Sequence, residues 1–410
     1  MIDRARVQAR QLFALAFSGL LVAAACGGTA ATPAASAAPV AAASAAPAAS
    51  AAPAAPQAPV RIGVIQAMTG GGAYYGLRLS QGIQIAVDTI NAEGGILGRR
   101  VEYSLEDTGT VDAQTPALLR KVAADTSVAV VIGPSQSSNY LAALAVAEQL
   151  KVPWVSAASG APWPAGLPND WNFRNTVPFI DMVSQFMKAV VPAIGAKKIA
   201  SIYSPDNTGV ASPQQIGSDT IKTMAGVDQS TVLTAPTGTK DFGPQITKII
   251  EANPDAVIVN LVTADGAAFM KQARDRGLKA RFIAGHNGLL DLNILKLSSG
   301  AAEGLIVPSH FDPNDANPQT KKFVDAWGKK FGPLEDLISS YSWDMMFTIK
   351  AVMEKAGTVS DRQKIRDTWG ATQNLCLAGG CYTWKGKGDR TNATVFPVVL
   401  GAAGFVKFAK

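Results

Sequence analysis

Between Val60 and Ala284 the apolar pattern alternates between short runs at strand spacing and longer stretches at helical spacing. Strands are expected over 60–66, 101–105, 128–132 and 153–156, with helices starting at Tyr75 and covering 113–124 and 139–150. The first helix puts Leu79, Ile83, Ala86 and Ile90 on one face. A second series begins after Val177-Pro178. There helices over 180–191, 214–224, 242–252 and 266–276 are followed by strands over 199–203, 231–233, 256–261 and 281–284. This is the rhythm of a parallel sheet covered by helices. Two consecutive series predict an α/β protein of two doubly wound parallel-sheet lobes. Ligands in such sheets lie beyond the carboxyl ends of the strands, so a site is expected in the cleft between the lobes.

The first strand leads through Ile62-Gly-Val-Ile-Gln-Ala-Met-Thr-Gly-Gly-Gly-Ala-Tyr-Tyr-Gly76 into its helix. Glycine lets backbone come close to a ligand, and a helix start presents unpaired N–H groups. The stretch supplies no nucleophile and no metal cluster, which points to binding rather than chemistry. The whole chain lacks GxSxG, HExxH and a CxxC cluster, and its only histidines are His286 and His310. Neither an enzyme activity nor a cofactor or metal is therefore expected. A GxxxxGK[ST] P-loop is also missing, so the chain is not itself an ATPase.

Residues 1–26 read as a targeting segment. Arg4, Arg6 and Arg10 precede an apolar stretch too short to span a membrane. It ends in Leu21-Val-Ala-Ala-Ala-Cys26, which looks like a bacterial lipobox with Ala23 where leucine is usual. Cys26 is accordingly expected to carry lipid, leaving an exported protein anchored to the outer face of a bacterial membrane. Residues 27–59 are almost entirely Ala, Pro, Ser, Thr and Gly, a disordered tether with nothing to bury. The net charge of +6 is spread without a long Lys/Arg run, so no nucleic-acid partner is implied. Cys376 and Cys381 flank a Gly-Gly turn and are expected to form a disulfide, in keeping with export.

Several pieces, in order, resemble one family. They are Ile62-Gly-Val with Met68-Thr-Gly and Tyr75-Gly76, Ile90-Asn-Ala-Glu-Gly-Gly-Ile-Leu-Gly-Arg99, and Val131-Ile-Gly-Pro134. Asp241-Phe, Pro254-Asp-Ala-Val257 and Lys271-Gln-Ala-Arg-Asp-Arg-Gly-Leu278 add to them. From about Val60 to its C-terminus the chain resembles the leucine/isoleucine/valine-type (branched-chain amino-acid) substrate-binding proteins of ABC transporters, with the type I periplasmic-binding fold. The resemblance implies three crossings between lobes, near Val177, Pro308 and Thr391. Residues 60–177 and 309–390 would form the N-terminal lobe, and 178–308 and 391–410 the C-terminal lobe. It further implies a monomer that captures a small polar ligand (an amino acid or related small carboxylate) and delivers it to a membrane permease driven by a separate ATPase. A ligand sensor of the same fold is the alternative role.

Carried over residue by residue, the resemblance marks Ser137 as a carboxylate contact, with Ser135 and Ser138 beside it; the alternative is a serine capping its own helix. It marks Ala158 through its backbone, and Ser159 next to Gly160, which stands where the family has threonine. Tyr75 would line the cleft wall, with Tyr74 as competitor. On the second lobe Thr208, Thr263 and His286 take positions where leucine binders carry aromatic or acidic residues. An ammonium lacking an acidic partner is costly to bury. A histidine in that place, able to charge near neutrality, suits an anion, hydroxyl or amide better. Aromatic acids and amide- or urea-like compounds therefore stand beside amino acids as ligands. Trp154, Trp163 and Trp171 are candidates for stacking on an aromatic ligand.

Overall fold

A computed structural model describes residues 57–160, 170–384, 388–391, 393–402 and 404–408. The targeting segment with Cys26, nearly all of the tether, and Trp163 lie outside the described residues. The chain runs β1 (Val60–Gln66), α1 (Ala73–Ala92), β2 (Val101–Asp107), α2 (Thr115–Ala124), β3 (Val128–Ile132), α3 (Ser137–Leu150), β4 (Trp154–Ser156) and β5 (Asn172–Arg174). It continues through α4 (Phe179–Ala193), β6 (Lys198–Tyr203), α5 (Thr208–Lys222), β7 (Asp228–Thr234), α6 (Gly243–Ala252), β8 (Ala256–Asn260), α7 (Thr263–Asp275), β9 (Arg281–Ala284), α8 (Asn293–Leu297) and β10 (Ile306–Ser309). The last part comprises α9 (Pro318–Phe331), α10 (Ser339–Ala356), α11 (Arg362–Gly370), β11 (Leu375–Leu377), β12 (Gly380–Trp384), β13 (Gly388–Thr391), β14 (Phe396–Gly401) and β15 (Gly404–Lys407).

These strands build two mostly parallel sheets, and their first five strands repeat one order: β2-β1-β3-β4-β5 in one sheet and β7-β6-β8-β9-β10 in the other. Each order reverses between its first and third strands, so each sheet has a crevice at the carboxyl ends of those strands. The chain passes between the sheets after β5, after β10 and after β13. β13 lies parallel to β5, and β14 pairs antiparallel with β10. Strands β1, β3 and β8 are apolar over nearly their whole length and buried, as strands covered by helices on both faces must be. The edge strand β7 instead alternates exposed and half-buried residues.

One buried apolar cluster includes Ile62 and Phe173 of the first sheet, Val257 and Phe282 of the second, and Leu289, Leu290 and Trp343. The sheets thus share a core instead of standing apart. Helix α10 packs along α1, and every residue from Ser339 to Ile349 is buried. A helix enclosed on all sides shows no apolar stripe.

Helix α5 starts at Thr208, earlier than the apolar spacing indicates, because the Asn207 side chain caps it by accepting the Gly209 N–H at 2.9 Å. Trp154 and Trp171 pack the core. Trp154 is fully buried, donates to the Gly133 carbonyl and lies 4.5 Å from the Tyr140 ring. Trp171 is buried under the Arg366 guanidinium. Neither offers a free face to a ligand. Cys376 and Cys381 face each other on β11 and β12 and are joined by a disulfide.

Candidate functional site

The carboxyl ends of β1, β8 and β9 lead into Tyr75, Thr263 and His286, and these three meet at Gly288. Tyr75, in the first turn of α1, donates to the Gly288 carbonyl at 3.1 Å. Thr263, the first residue of α7, donates to the same oxygen at 3.3 Å. Burial raises the Tyr75 phenol to about 12, only partly opposed by its hydrogen bond with Thr263. The contact joins the α1 end of the first sheet to the loops of the second. A Cβ on Gly288 would lie 2.1 Å from Tyr75 Oη, so only glycine permits this approach.

His286 does not act as the cationic contact its position implies. It is 2 % exposed, and both ring nitrogens are used locally. Nδ1 accepts the Gly288 N–H at 2.9 Å, and Nε2 donates to the Leu261 carbonyl at 3.1 Å. Burial lowers its pKa to about 4 despite the Leu261 bond, so the ring is neutral near pH 7. It braces the loop that presents Gly288.

On the first sheet, Ser137 opens α3, and the preceding Gln136 occupies the cap position without a side-chain cap bond. Ser137 is thus not an N-cap serine. Ser138 is exposed, whereas the Ser135 hydroxyl is buried and has no partner among the described residues. A Cβ on Gly160 would lie 3.2 Å from Ser137 Oγ and 2.8 Å from the Phe179 ring. Phe179 fills the space a threonine side chain would need.

The backbone of Ala158 is already engaged. Its N–H donates to Ser156 Oγ at 3.0 Å, and its carbonyl accepts from Arg174 Nη1 at 3.1 Å. The Ser159 hydroxyl turns to Thr176 Oγ1 at 2.8 Å. Thr208 stands exposed at the start of α5, which packs on α3, and makes no contact with the Tyr75 cluster.

Sequence reasoning missed a second buried group one helical turn along α1. Arg78 Nη2 lies 3.5 Å from Asp291, in the loop after β9, and its Nε lies 3.6 Å from Asp336, just before α10. Both carboxylates are fully buried. Burial, reinforced by Asp336, raises Asp291 to about 7, and burial also raises Asp336. Backbone bonds from Leu292 to Glu335 and from Leu337 to Leu290 lock the two segments together. The only sequence signal was that Arg78 shares a helix face with Tyr75, three residues before it. Among the described residues no group of three His, Cys, Asp or Glu side chains is placed to hold a metal ion.

Comparison with known proteins adds to this geometry. A profile of the periplasmic binding protein family matches residues 59–401. The Leu/Ile/Val-binding protein of Escherichia coli K12 is 26% identical over 332 residues, covering 80% of this chain and 88% of that protein. The Leu/Ile/Val-binding protein BraC3 of Rhizobium johnstonii is 28% identical over 340 residues, covering 81% and 89%. Among solved structures, a leucine binding protein from Thermotoga maritima superposes with a TM-score of 0.75 at 24% identity, over 85% of this chain and 98% of that one. A solute binding protein from R. palustris, crystallised with benzoate, gives 0.73 at 16% identity over 86% and 96%. At these identities the structural matches establish the shared fold.

Proposed function

The chain belongs to the periplasmic binding protein family, and from that premise we propose that it is the exported solute-binding component of an ABC importer, holding a small carboxylate between its two sheets. The support is chiefly one observation: Tyr75 from the first sheet's side and Thr263 from the second's converge on a single carbonyl, that of Gly288. In this reading residues 60–177 with 309–390 form one lobe, and 178–308 with 391–410 the other. Their closure commits the ligand and creates the surface that a membrane permease, driven by a separate ATPase, reads. The protein acts as a monomer, tethered by lipid on Cys26, and breaks no bonds. No helix among the described residues is long and apolar enough to cross a membrane.

The named relatives bind leucine, isoleucine and valine, which makes amino acids the first comparison. The site's chemistry favours a carboxylate with no ammonium beside it. The Ala158 carbonyl faces a guanidinium, and His286 is neutral with both nitrogens used. The buried carboxylates Asp291 and Asp336 already face Arg78. An ammonium would have to compete with Arg78 for these acids. Aromatic acids fit this description, and amides or urea-like compounds come next. A thermal-shift panel of leucine, benzoate, benzamide and urea tests the reading, since a ligand of the folded state raises Tm. Benzoate is expected to raise Tm and leucine to leave it unchanged. A gain from leucine alone would contradict the ligand class, and no gain from any compound would contradict the solute-binding role.

A further inference from the structure

Each of the three segments that cross between the sheets carries a buried polar side chain with unpartnered atoms at the carboxyl end of its strand. Asn175, directly after β5, is fully buried, and one end of its side-chain amide has no partner among the described residues. His310, directly after β10, is 5 % exposed, and neither of its ring nitrogens has a partner among the described residues. Arg390, in β13, is 3 % exposed; its Nη2 donates to the Cys381 carbonyl at 3.4 Å, while Nε and Nη1 have no partner among the described residues. Buried polar atoms are rarely left this way. Their place beyond the carboxyl ends of parallel strands is where such sheets bind ligands.

One face of α10 runs behind all three. Tyr341 stacks on His310 with ring centres 4.6 Å apart. Thr348 Oγ1, whose proton goes to the Asp344 carbonyl at 2.7 Å, lies 3.4 Å from the Asn175 side-chain amide. Between them Asp344 accepts from Tyr382 Oη at 2.6 Å, and Tyr382 carries the Arg390 guanidinium 3.7 Å above its ring centre. A Cβ on Gly379 would lie 2.9 Å from Tyr382 Oη and 3.4 Å from His310 Cδ2, so both residues border one point. Asp344 feels the charge of Arg390 but makes no hydrogen bond to it among the described residues. Its oxygens are engaged by the N–H groups of Ala378 and Gly379 and by Tyr382. Burial, aided by the charge of Arg390, keeps His310 neutral. Tyr341 also ties this group to the cleft, because its Oη accepts from Asn287 Nδ2 at 3.0 Å, next to Gly288.

We propose that Arg390 and His310 form an anion-binding floor to the cleft at the crossing strands, which takes a small carboxylate. The guanidinium supplies charge-assisted donors, and the imidazole one donor and one acceptor. The assignment rests on the carboxylate reading above and gives that carboxylate a place. The anion is either the solute's own carboxylate or a small free one.

The test is a thermal-shift titration of the full chain and of Arg390→Met, Arg390→Lys and His310→Phe with benzoate, acetate, chloride, benzamide and leucine. In the native protein benzoate is expected to raise Tm well beyond benzamide at equal concentration. Arg390→Met is expected to lose that gain. Arg390→Lys, which keeps the charge, is expected to retain most of it. Should Arg390→Met fail to fold, His310→Phe carries the same test, because it keeps the stack on Tyr341 and removes both nitrogens; at least a tenfold weakening of benzoate is expected. Equal gains from acetate or chloride assign the floor to a free anion, and a gain from benzoate alone assigns it to the solute. A full benzoate gain in the folded Arg390→Met or His310→Phe protein overturns the assignment and leaves the solute-binding reading standing. If leucine alone raises Tm in all four proteins, the floor and the ammonium-free ligand class both fall while solute binding stands. If no compound raises Tm in the native protein, both readings fall together.

Discussion

His286 shows how a single residue's environment decides its role. Its unfolded pKa of 6.5 falls to about 4 in the fold through burial. Between those values the unfolded chain takes up a proton that the folded chain does not, so stability falls with pH there. The contribution is complete above about pH 6.5 and declines toward pH 4, by about 3 kcal/mol at ~1.4 kcal/mol per unit. Glutamine can still donate to Leu261 and accept from Gly288 but does not titrate. The Tm advantage of the native protein over His286→Gln is therefore expected to shrink between about pH 7 and about pH 4.5, checked by calorimetry across that range. A constant difference would mean the ring is not held neutral. The positions of Tyr75, Thr263 and His286 near one another were legible from their places after strands. What each does there was not, because the partners of His286 are backbone groups of its own loop. Arg390 and His310 were illegible for another reason: they lie far apart in the chain and meet only where strands cross.

At the scale of elements, the alternating series before Ala284 was readable because buried parallel strands and amphipathic helices have distinct periods. After Ser309 the reading stopped, since α10 is enclosed on all sides and β11 to β13 are short. That unread region holds half of the second buried group: the segment before α10 meets the loop after β9 through Arg78, Asp291 and Asp336. Asp291 titrates in the opposite sense to His286. Burial raises it from 3.8 to about 7, so the folded chain holds the extra proton and the stabilisation is lost as pH rises through about 7. Asp291→Asn is expected to gain in Tm relative to the native protein as pH goes from about 4 to about 8. A relative loss over that range would mean the charged pair with Arg78 outweighs the burial of the carboxylate.

At the scale of the whole molecule, two sheets with one strand order face each other through the carboxyl ends of their strands, and three chain crossings join them. The repeated order was implicit in the two α/β series, although no sequence repeat between the halves is visible. The shared core and the contact of Tyr75 with Gly288 hold the two sheets together, and the proposed function has a solute enclosed between them. A crystal structure of the protein with whichever of benzoate or leucine raises its Tm tests this most directly. The expected result is a ligand enclosed between Ser137 on one side and Gly288 on the other, touching residues that follow strands of both sheets. A ligand bound to one sheet alone would contradict it.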